Sequence, residues 1–223
     1  MPNYKVTCHL SSPLAGDAPY LDAMMEFVQS ERTGKDMHIQ KWQHIEPVGT
    51  VSVPLTRESF GGVDSIPKCS APIVESLSSF KEHFAKRIGV ENAPLLRENE
   101  RKVVSVGNLW TKSYRLPLEV RPVSRIAWFV SSDDLDHVGD ILNGIHSIGK
   151  KRSQGFGRIA QWVIEETEHD WSWFADTPHG KLLMRVLPWC ESLRQCIGWK
   201  RAFAGWAPPY WHPERYIEVA TPC

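Results

Sequence analysis

A glycine-rich basic segment at residues 149–157 has the residue types best suited to binding a phosphate backbone. It contains three glycines and three consecutive cations, and a fourth cation follows it directly. Glycine lets the backbone adopt φ > 0 or approach a ligand closely, and the cationic and small polar side chains donate hydrogen bonds to phosphate. The segment predicts a nucleic-acid clamp, with candidate RNA-binding residues Gly149, Lys150, Lys151, Arg152, Ser153, Gln154, Gly155, Phe156, Gly157 and Arg158.

Cations are also concentrated between residues 97 and 125, where seven Lys and Arg residues accompany three carboxylates. The whole chain has 26 residues of each sign, so bulk charge does not favour coating of nucleic acid and any anion site must be local. Arg115, Arg121 and Arg125 lie on predicted strands. They are further candidates for RNA contact, although a strand face can point either way.

Other site chemistry has less support in the sequence. A metal-independent endoribonuclease would use a histidine as general acid or base, and His9, His38 and His44 lie near the first half of the predicted fold, but no spacing singles one out. Cys190 and Cys196 lack the short spacing of a zinc knuckle. We therefore expect no catalytic residue, no metal and no other cofactor.

The five cysteines indicate the compartment. Their number is odd and their spacing uneven, which argues against a disulfide framework and favours a reducing cytoplasm. The first ten residues read as a strand rather than a signal peptide, and no apolar run approaches the roughly 20 residues needed to cross a bilayer. We expect a soluble cytoplasmic protein without membrane contact.

The elements around the glycine-rich segment follow from apolar periodicity. Alternation predicts strands at residues 4–10, 114–121, 125–130 and 158–164. A 3.6-residue period predicts a helix over Leu21–Gln29, with Asp17 as its cap and Gly34 as its stop, and a second helix over Asp133–Ile145, capped by Ser131 or Ser132. The basic segment is therefore expected to join the second helix to the last strand.

Residues 35–102 have a looser pattern and are predicted to form an inserted subdomain. A short alternating strand is expected at Val51, Val53 and Leu55. A helix is expected to start at Ser70 or Pro72 and to end at Gly89. Its apolar face would consist of Ile73, Leu77, Phe80 and Phe84, the exit loop would span residues 92–100, and Val103, Val104 and Val106 would begin the next ordered half.

Without the insertion, the order strand, helix, strand, strand, helix, strand predicts an α+β, ferredoxin-like (RRM-like) βαββαβ domain. Its core would comprise residues 1–34 and 103–165, and its open sheet face is the platform that RNA-recognition modules use. A C-terminal extension at 166–223 would pack on the core, with a helix over 181–187 and an extended stretch over 207–213. Six tryptophans in it suit either core packing or partner contact: Trp171, Trp173, Trp189, Trp199, Trp206 and Trp211.

Two stretches carry a family resemblance. Residues 148–159, which enter a strand after a helix, resemble the glycine-rich loop of the RAMP superfamily of CRISPR proteins. Leu10-Ser11-Ser12-Pro13-Leu14, followed by Leu21-Asp22-Ala23-Met24, is similar to the opening of the subunit that caps the 5′ end of the guide RNA (crRNA) in Cascade-like complexes. The small Csf-type cap subunit of type IV systems is the most similar. The motifs cover about the first 165 residues in order.

This resemblance implies a ferredoxin-like RNA-binding domain whose inserted segment, residues 35–102, forms a thumb. It also implies a non-catalytic subunit of a CRISPR effector ribonucleoprotein that acts against foreign DNA. Such a subunit holds the 5′ handle of the crRNA, caps a filament of backbone subunits, and adjoins the large or small effector subunit near the target-flanking motif. Target DNA is then an indirect partner, and a helicase is recruited to the assembled complex. Carried over by position, Lys150, Lys151 and Arg152 would meet handle phosphates, and Gly149, Gly155 and Gly157 would let the backbone approach.

Two alternatives remain open at this point. The chain could be a RAMP endoribonuclease that processes crRNA, or a protein-interaction module that docks a partner through its Trp-rich tail. RNA binding that depends on the basic segment, without cleavage, separates the cap subunit from both.

Overall fold

The computed structural model describes residues 1–34, 51–76, 78–86 and 114–223. It is a mixed α/β structure made mostly of strands, with several antiparallel sheets and two α-helices in the described ranges. In chain order the elements are β1 (Asn3–Leu10), β2 (Leu14–Ala15), α1 (Leu21–Thr33), β3 (Arg57–Phe60), β4 (Val63–Pro67), β5 (Ile73–Ser76), β6 (Phe80–Lys86), β7 (Tyr114–Arg121), β8 (Val123–Ser131), α2 (Leu135–Asn143), β9 (Ile159–Thr167), β10 (Phe174–Thr177), β11 (Gly180–Leu183), β12 (Leu187–Pro188), β13 (Trp199–Gly205) and β14 (Tyr216–Pro222).

The largest sheet has four strands in the order β5-β8-β1-β9, and every neighbouring pair is antiparallel. The alternation predicted for β1 and β8 is confirmed, because Val6, Cys8, Ile126 and Trp128 are buried on one face. Both helices lie against that face and complete a core to which α1 contributes Leu21 and Met25, and α2 contributes Val138, Ile141 and Leu142.

Both predicted helices are confirmed, but their caps differ from the prediction. Tyr20, not Asp17, precedes α1, and Gly34 ends that helix in the left-handed conformation at φ 64°, as expected. The Asp134 carboxylate caps α2 by accepting from the backbone N–H of His137. Serine therefore does not cap this helix, and the Ser132 hydroxyl instead accepts from the N–H of Asp134.

The helix predicted from Ser70 or Pro72 to Gly89 is wrong, because this stretch contains strands β5 and β6. Ile73 and Val74 pair with Ala127 and Ile126 of β8, so β5 is the outer strand of the main sheet. β-Branched residues favour a pleated surface, and pairing with β8 prevails over the helical spacing of the apolar residues. The predicted second strand of that sheet, β7, is a strand with the predicted limits, Tyr114–Arg121, but it pairs elsewhere.

Strand β7 belongs to a three-stranded sheet with the order β2-β7-β6. Strands β6 and β7 pair along seven residues, from Phe80↔Val120 to Lys86↔Tyr114, and are named here the hairpin arm. A small apolar cluster holds this arm to the N-terminal segment and contains Ala15, Phe84, Leu118 and Val120, with Phe156 packed against it.

The C-terminal segment, residues 166–223, forms a hairpin of β10 and β11 and a sheet with the order β12-β14-β13. The helix predicted at 181–187 is wrong, since Lys181 and Leu182 pair with β10. The stretch 207–213 bends rather than running extended. Most of the six tryptophans pack: Trp173 and Trp206 are buried, Trp171, Trp189 and Trp199 are half-buried, and Trp211 is exposed.

Some predictions for the middle of the chain fail or lie outside the described residues. Val51, Val53 and Leu55 alternate in burial as predicted but do not form a strand. The predicted exit loop, the strand beginning at Val103, and His38 and His44 lie outside the described ranges, as do four of the seven cations counted above: Arg97, Arg101, Lys102 and Lys112. In the described part of the chain, helices α1 and α2 are both too short or too polar to cross a lipid bilayer.

A buried ionic cluster connects α1 to the C-terminal segment. Arg185 and Asp22 are both fully buried, and the guanidinium donates to the Asp22 carboxylate at 2.7 Å. The same guanidinium donates to the carbonyl of Cys69 at 2.7 Å and to the Tyr210 hydroxyl at 2.9 Å. Burial acts to lower the pKa of Arg185, but the Asp22 carboxylate and its neighbours offset this and raise it above its ordinary value.

Glu26, one turn after Asp22, should make stability depend on pH. Burial raises its pKa to about 7, repulsion from Asp22 adds to the shift, and the ion pair with Arg57 at 3.2 Å opposes it. In the unfolded chain Glu26 ionises near its ordinary pKa, so its contribution is fully present below about pH 4.5 and is lost as the pH rises through about 7. We expect this one group to lower the free energy of unfolding by about 2 kcal/mol between about pH 5 and about pH 7.

Glu26→Gln removes the titration, so urea unfolding of both proteins at the two pH values tests this prediction. The stability of wild type relative to the variant should fall by that amount on going to the higher pH, since other groups titrate equally in both chains. A relative stability that is the same at the two pH values would contradict it.

Candidate nucleic-acid interface

The segment at residues 149–157, named here the glycine loop, lies between α2 and β9 as predicted. Its centre is a 3₁₀ turn at Arg152–Gln154, bounded by two residues in the left-handed conformation, Lys151 at φ 59° and Gly155 at φ 89°. The N–H groups of Gln154 and Gly155 donate to the carbonyls of Lys151 and Arg152. This fold of the backbone leaves Arg152, Ser153 and Gln154 exposed at the tip.

Both ends of the glycine loop are hydrogen-bonded to the segment that follows β1. The Lys150 N–H donates to the carbonyl of Ala15 at 2.8 Å, and the Gly157 N–H donates to the carbonyl of Pro13 at 2.8 Å. The next residue, Arg158, accepts at its carbonyl from the N–H of Ser11 and donates its own N–H to the hydroxyl of Ser12. Residues 11–15 and 150–158, which are far apart in the chain, are therefore held together by backbone and side-chain hydrogen bonds.

Two of the loop glycines are required by close packing. A Cβ on Gly149, at φ +79°, would lie 2.7 Å from Cδ1 of Leu14 and 2.8 Å from the carbonyl oxygen of Ala15. A Cβ on Gly157, at φ +62°, would lie 2.9 Å from the carbonyl carbon of Ile148 and closer still to its oxygen. Gly155 has open space around the same position. Gly149 and Gly157 thus allow the loop to pack closely against Leu14, Ala15 and Ile148, whereas the space around Gly155 is open.

Lys151 and Phe156 turn towards the hairpin arm. The ring of Phe156 meets that of Phe84 edge-on, with centroids 5.4 Å apart. The Lys151 ammonium lies 5.0 Å from the ring centroid of Phe84 and 5.7 Å from that of Tyr114. Phe156 therefore packs, and the cation–π contacts of Lys151 hold the loop against the arm. Lys150 and Arg152 are the exposed cations of the loop itself.

A groove of about 620 Å³, named here the loop groove, runs between α1 and residues 144–152. Its apolar wall includes Met24, Phe27 and Val28 of α1, and Phe27 is 44% exposed. Lys150 and Arg152 line the loop side, and Asp17 and Glu31 add two carboxylates to the groove, so the carboxylate-free part of this surface is the glycine loop itself. A surface that combines an exposed aromatic ring with cations and accessible backbone suits single-stranded nucleic acid, whose bases stack while its phosphates pair with charge.

The predicted strand arginines occupy three different settings. Arg115 is exposed on β7, next to Tyr114, whose ring contacts the Lys151 ammonium. The Arg121 guanidinium donates to the Glu119 carboxylate at 2.9 Å and lies 3.7 Å from that of Asp17. In the strand register, Arg121 is the partner of Leu14 in β2. Arg125 pairs with Glu75 at 2.5 Å on the other face of the main sheet, and this hydrogen bond raises the pKa of the guanidinium. Arg115 and Arg121 are on the strand beside the loop, and Arg125 belongs to a separate groove.

Sequence reasoning missed several residues of this region. Phe27 reads as one more apolar residue of an amphipathic helix, and His146, which also lines the loop groove, has no motif around it. Asp22 and Arg185 are 163 residues apart, so no local pattern relates them. Within the described ranges, no three His, Cys, Asp or Glu side chains are grouped so as to hold a metal ion.

Comparison with known proteins does not place the chain in a family: no protein-family model matches it, and no curated protein matches it significantly.

Proposed function

We propose that this chain is a non-catalytic RNA-binding subunit of a type IV CRISPR effector ribonucleoprotein. In this role it holds the 5′ handle of the crRNA, caps the filament of backbone subunits, and contributes to defence against or competition with foreign DNA. The observation on which the proposal rests is the glycine loop, hydrogen-bonded at both ends to residues 11–15, with Lys150 and Arg152 exposed.

The topology supports a ferredoxin-like domain as the scaffold. In that fold the strand order is 4-1-3-2 and the two helices cover one face of an antiparallel sheet. Reading β1, β5, β8 and β9 as the four strands gives the same order here, with α1 between the first and second and α2 between the third and fourth. The second strand then comes from within the region predicted to be inserted, rather than from β7.

The chemistry of the loop supports phosphate as its ligand. Residues 149–158 have four cations and no carboxylate, and the cations Lys150, Arg152 and Arg158 are exposed. Ordinary protein surfaces mix both signs, so a carboxylate-free stretch on a fixed turn favours an anion of high charge density, such as an RNA strand. We therefore expect binding that weakens steeply with salt.

Replacing Lys150, Lys151 and Arg152 with alanine should weaken binding of a fluorescein-labelled crRNA and lower its salt dependence. If each cation meets one phosphate, the slope of log K against log salt should become less steep by about 2, because about 0.7 counterions per contact are released from a single strand. Anisotropy titrations between about 50 and about 200 mM KCl measure both quantities.

A matched control removes the same charge elsewhere. Lys181, Arg194 and Lys200 are exposed on the C-terminal segment, and replacing all three with alanine should leave the slope unchanged. If the loop variant binds with wild-type affinity and slope, the loop is not the RNA site. Cleavage of the crRNA by wild type would instead support the endoribonuclease alternative, and a protein partner retained without RNA would support the interaction-module alternative.

A further inference from the structure

The face of the main sheet opposite the helices has a second groove, of about 380 Å³, that the proposed function does not use. We name it the sheet groove. Three rows of side chains cross it, as the strand register shows. The middle row has Ala127 and Thr7 at its centre, so the floor is low there. One flanking row contains Phe129, Lys5 and Glu165, and the other contains Arg125 and His9.

One wall of the sheet groove is aromatic. The Trp171 ring meets the Phe129 ring edge-on, with 69° between the ring planes and centroids 5.0 Å apart. His169 stacks on Trp171 at 5.4 Å with only 6° between the ring planes, and the His169 side chain is exposed. A flat, partly exposed group of rings beside a low floor is suited to stacking of another planar ring.

The charges in the sheet groove favour a base over a phosphate. Lys5 and Arg125 contribute two cations, and Glu75 and Glu165 contribute two carboxylates, all four lining the same groove. Phosphate oxygens would be repelled by the carboxylates, whereas the edge of a base presents both donors and acceptors. A volume at the lower end of the range for ligand pockets also suits one nucleotide better than a protein segment.

The sheet groove is continuous along β1 with the site already described. Lys5, Thr7 and His9 of the groove lead to Ser11 and Ser12, which hydrogen-bond Arg158 at the end of the glycine loop. At about 3.4 Å per residue, Thr7 lies roughly 14 Å from Ser11. A single strand of a few nucleotides covers this distance.

We propose that the sheet groove binds one unpaired base of the same RNA strand whose phosphates contact the glycine loop. The base stacks on the Trp171 and His169 wall, and its edge hydrogen-bonds to polar side chains of β1, β8 and β9. This assignment rests on the proposed function, because it takes the ligand of the loop to be RNA.

Trp171→Ala tests the stacking directly. With fluorescein-labelled single-stranded 12-nucleotide adenylate and uridylate as probes, affinity should fall about 10-fold or more for adenylate, the base with the larger stacking surface. The salt slope should remain that of wild type, because stacking releases no counterions. Trp211→Ala, which removes an exposed tryptophan outside the groove, is the matched control and should bind as wild type.

A second variant keeps the test valid if Trp171→Ala does not fold. Ala127→Leu fills the floor and leaves the aromatic wall in place, so it should cause a similar loss of affinity. Groove variants that fold and bind both probes as wild type would overturn the inference and leave the loop proposal standing. A salt slope that falls together with affinity would also overturn it, because the groove would then hold phosphate.

The remaining outcomes separate the two proposals. If the groove variants lose affinity while the triple loop variant binds as wild type, the groove binds RNA but the loop does not, so the loop assignment and the inference of one shared strand both fail. If wild type binds neither probe, nor crRNA, both fail. If the groove variants lose a protein neighbour from the purified complex but bind RNA normally, a peptide occupies the groove and the base assignment is wrong.

Discussion

Gly157→Ala is expected to destabilise the protein by about 4 kcal/mol, near the upper end of the range for single substitutions. The added Cβ would overlap the backbone carbonyl of Ile148, which cannot move as a flexible side chain would. Relief would require displacement of the hydrogen bonds from Gly157 N–H to Pro13 and from Ile148 N–H to the Gly157 carbonyl. Urea unfolding measures the change. RNA affinity should fall in parallel, because the loop loses the hydrogen bonds that fix its position.

Gly155→Ala is the matched control within the same loop. Gly155 also has positive φ, but a Cβ there meets no atom within 4 Å. Only the backbone strain of an L-residue in the left-handed conformation remains, about 1 kcal/mol. Equal losses from the two substitutions would contradict the packing described for Gly157 and would indicate that the loop yields as a whole.

Asp22→Asn is expected to cost about 3–5 kcal/mol, because it leaves the Arg185 guanidinium charged and uncompensated in the interior. Asp22 accepts from Arg185 at 2.7 Å and from the Tyr210 hydroxyl at 3.1–3.2 Å, so two side chains depend on its charge. The Tyr20 ring stacks on that of Tyr210 at 4.8 Å. Loss of the carboxylate should loosen the contact between the start of α1 and the C-terminal segment, which hydrogen exchange of α1 would report.

Two comparisons test whether burial is the cause. Arg32 and Asp140 form a pair of similar geometry at 2.5 Å but in an exposed position, so Asp140→Asn should cost at most about 1 kcal/mol. The double variant Asp22→Asn with Arg185→Met should recover part of the lost stability, since the unpaired charge is gone. If Asp22→Asn costs no more than Asp140→Asn, the buried pair is not what holds these elements together.

The parts of the fold that sequence could predict are those in which local periodicity and tertiary contacts agree. In β1, Val6 and Cys8 alternate with side chains of the open face, and the pairing of this strand on both sides leaves the alternation intact. In α2, Val138, Ile141 and Leu142 have helical spacing and face the core. Each pattern has one structural solution in these segments, so the predictions hold.

Prediction failed where a pattern had two solutions. Ile73, Phe80 and Phe84 have spacings that fit a helix face, yet they also fit two strands separated by the polar stretch after Glu75. Pairing of β5 with β8 and of β6 with β7 decides between them, and neither pairing is visible locally. The stretch 181–187 failed similarly, although the turn from Thr177 to Gly180 is of the kind that joins two strands.

The candidate site was predicted in its composition but not in its arrangement. The residue types of the glycine loop indicate an anion site, and its place between a helix and a strand follows from periodicity. That Lys151 and Phe156 would turn to Phe84, and that Ser11–Ala15 would hold the loop, depends on contacts between distant parts of the chain. Such contacts require knowledge of how β2 pairs with β7.

The most direct test of the proposed function is to co-express the tagged chain with its genomic neighbours and to sequence the RNA that co-purifies. We predict RNAs that share one constant 5′ segment ahead of variable spacers, and we predict their loss from complexes containing the Lys150, Lys151 and Arg152 to alanine variant. Recovery of a stoichiometric protein partner without RNA, or of RNAs without a common 5′ segment, would contradict the proposal.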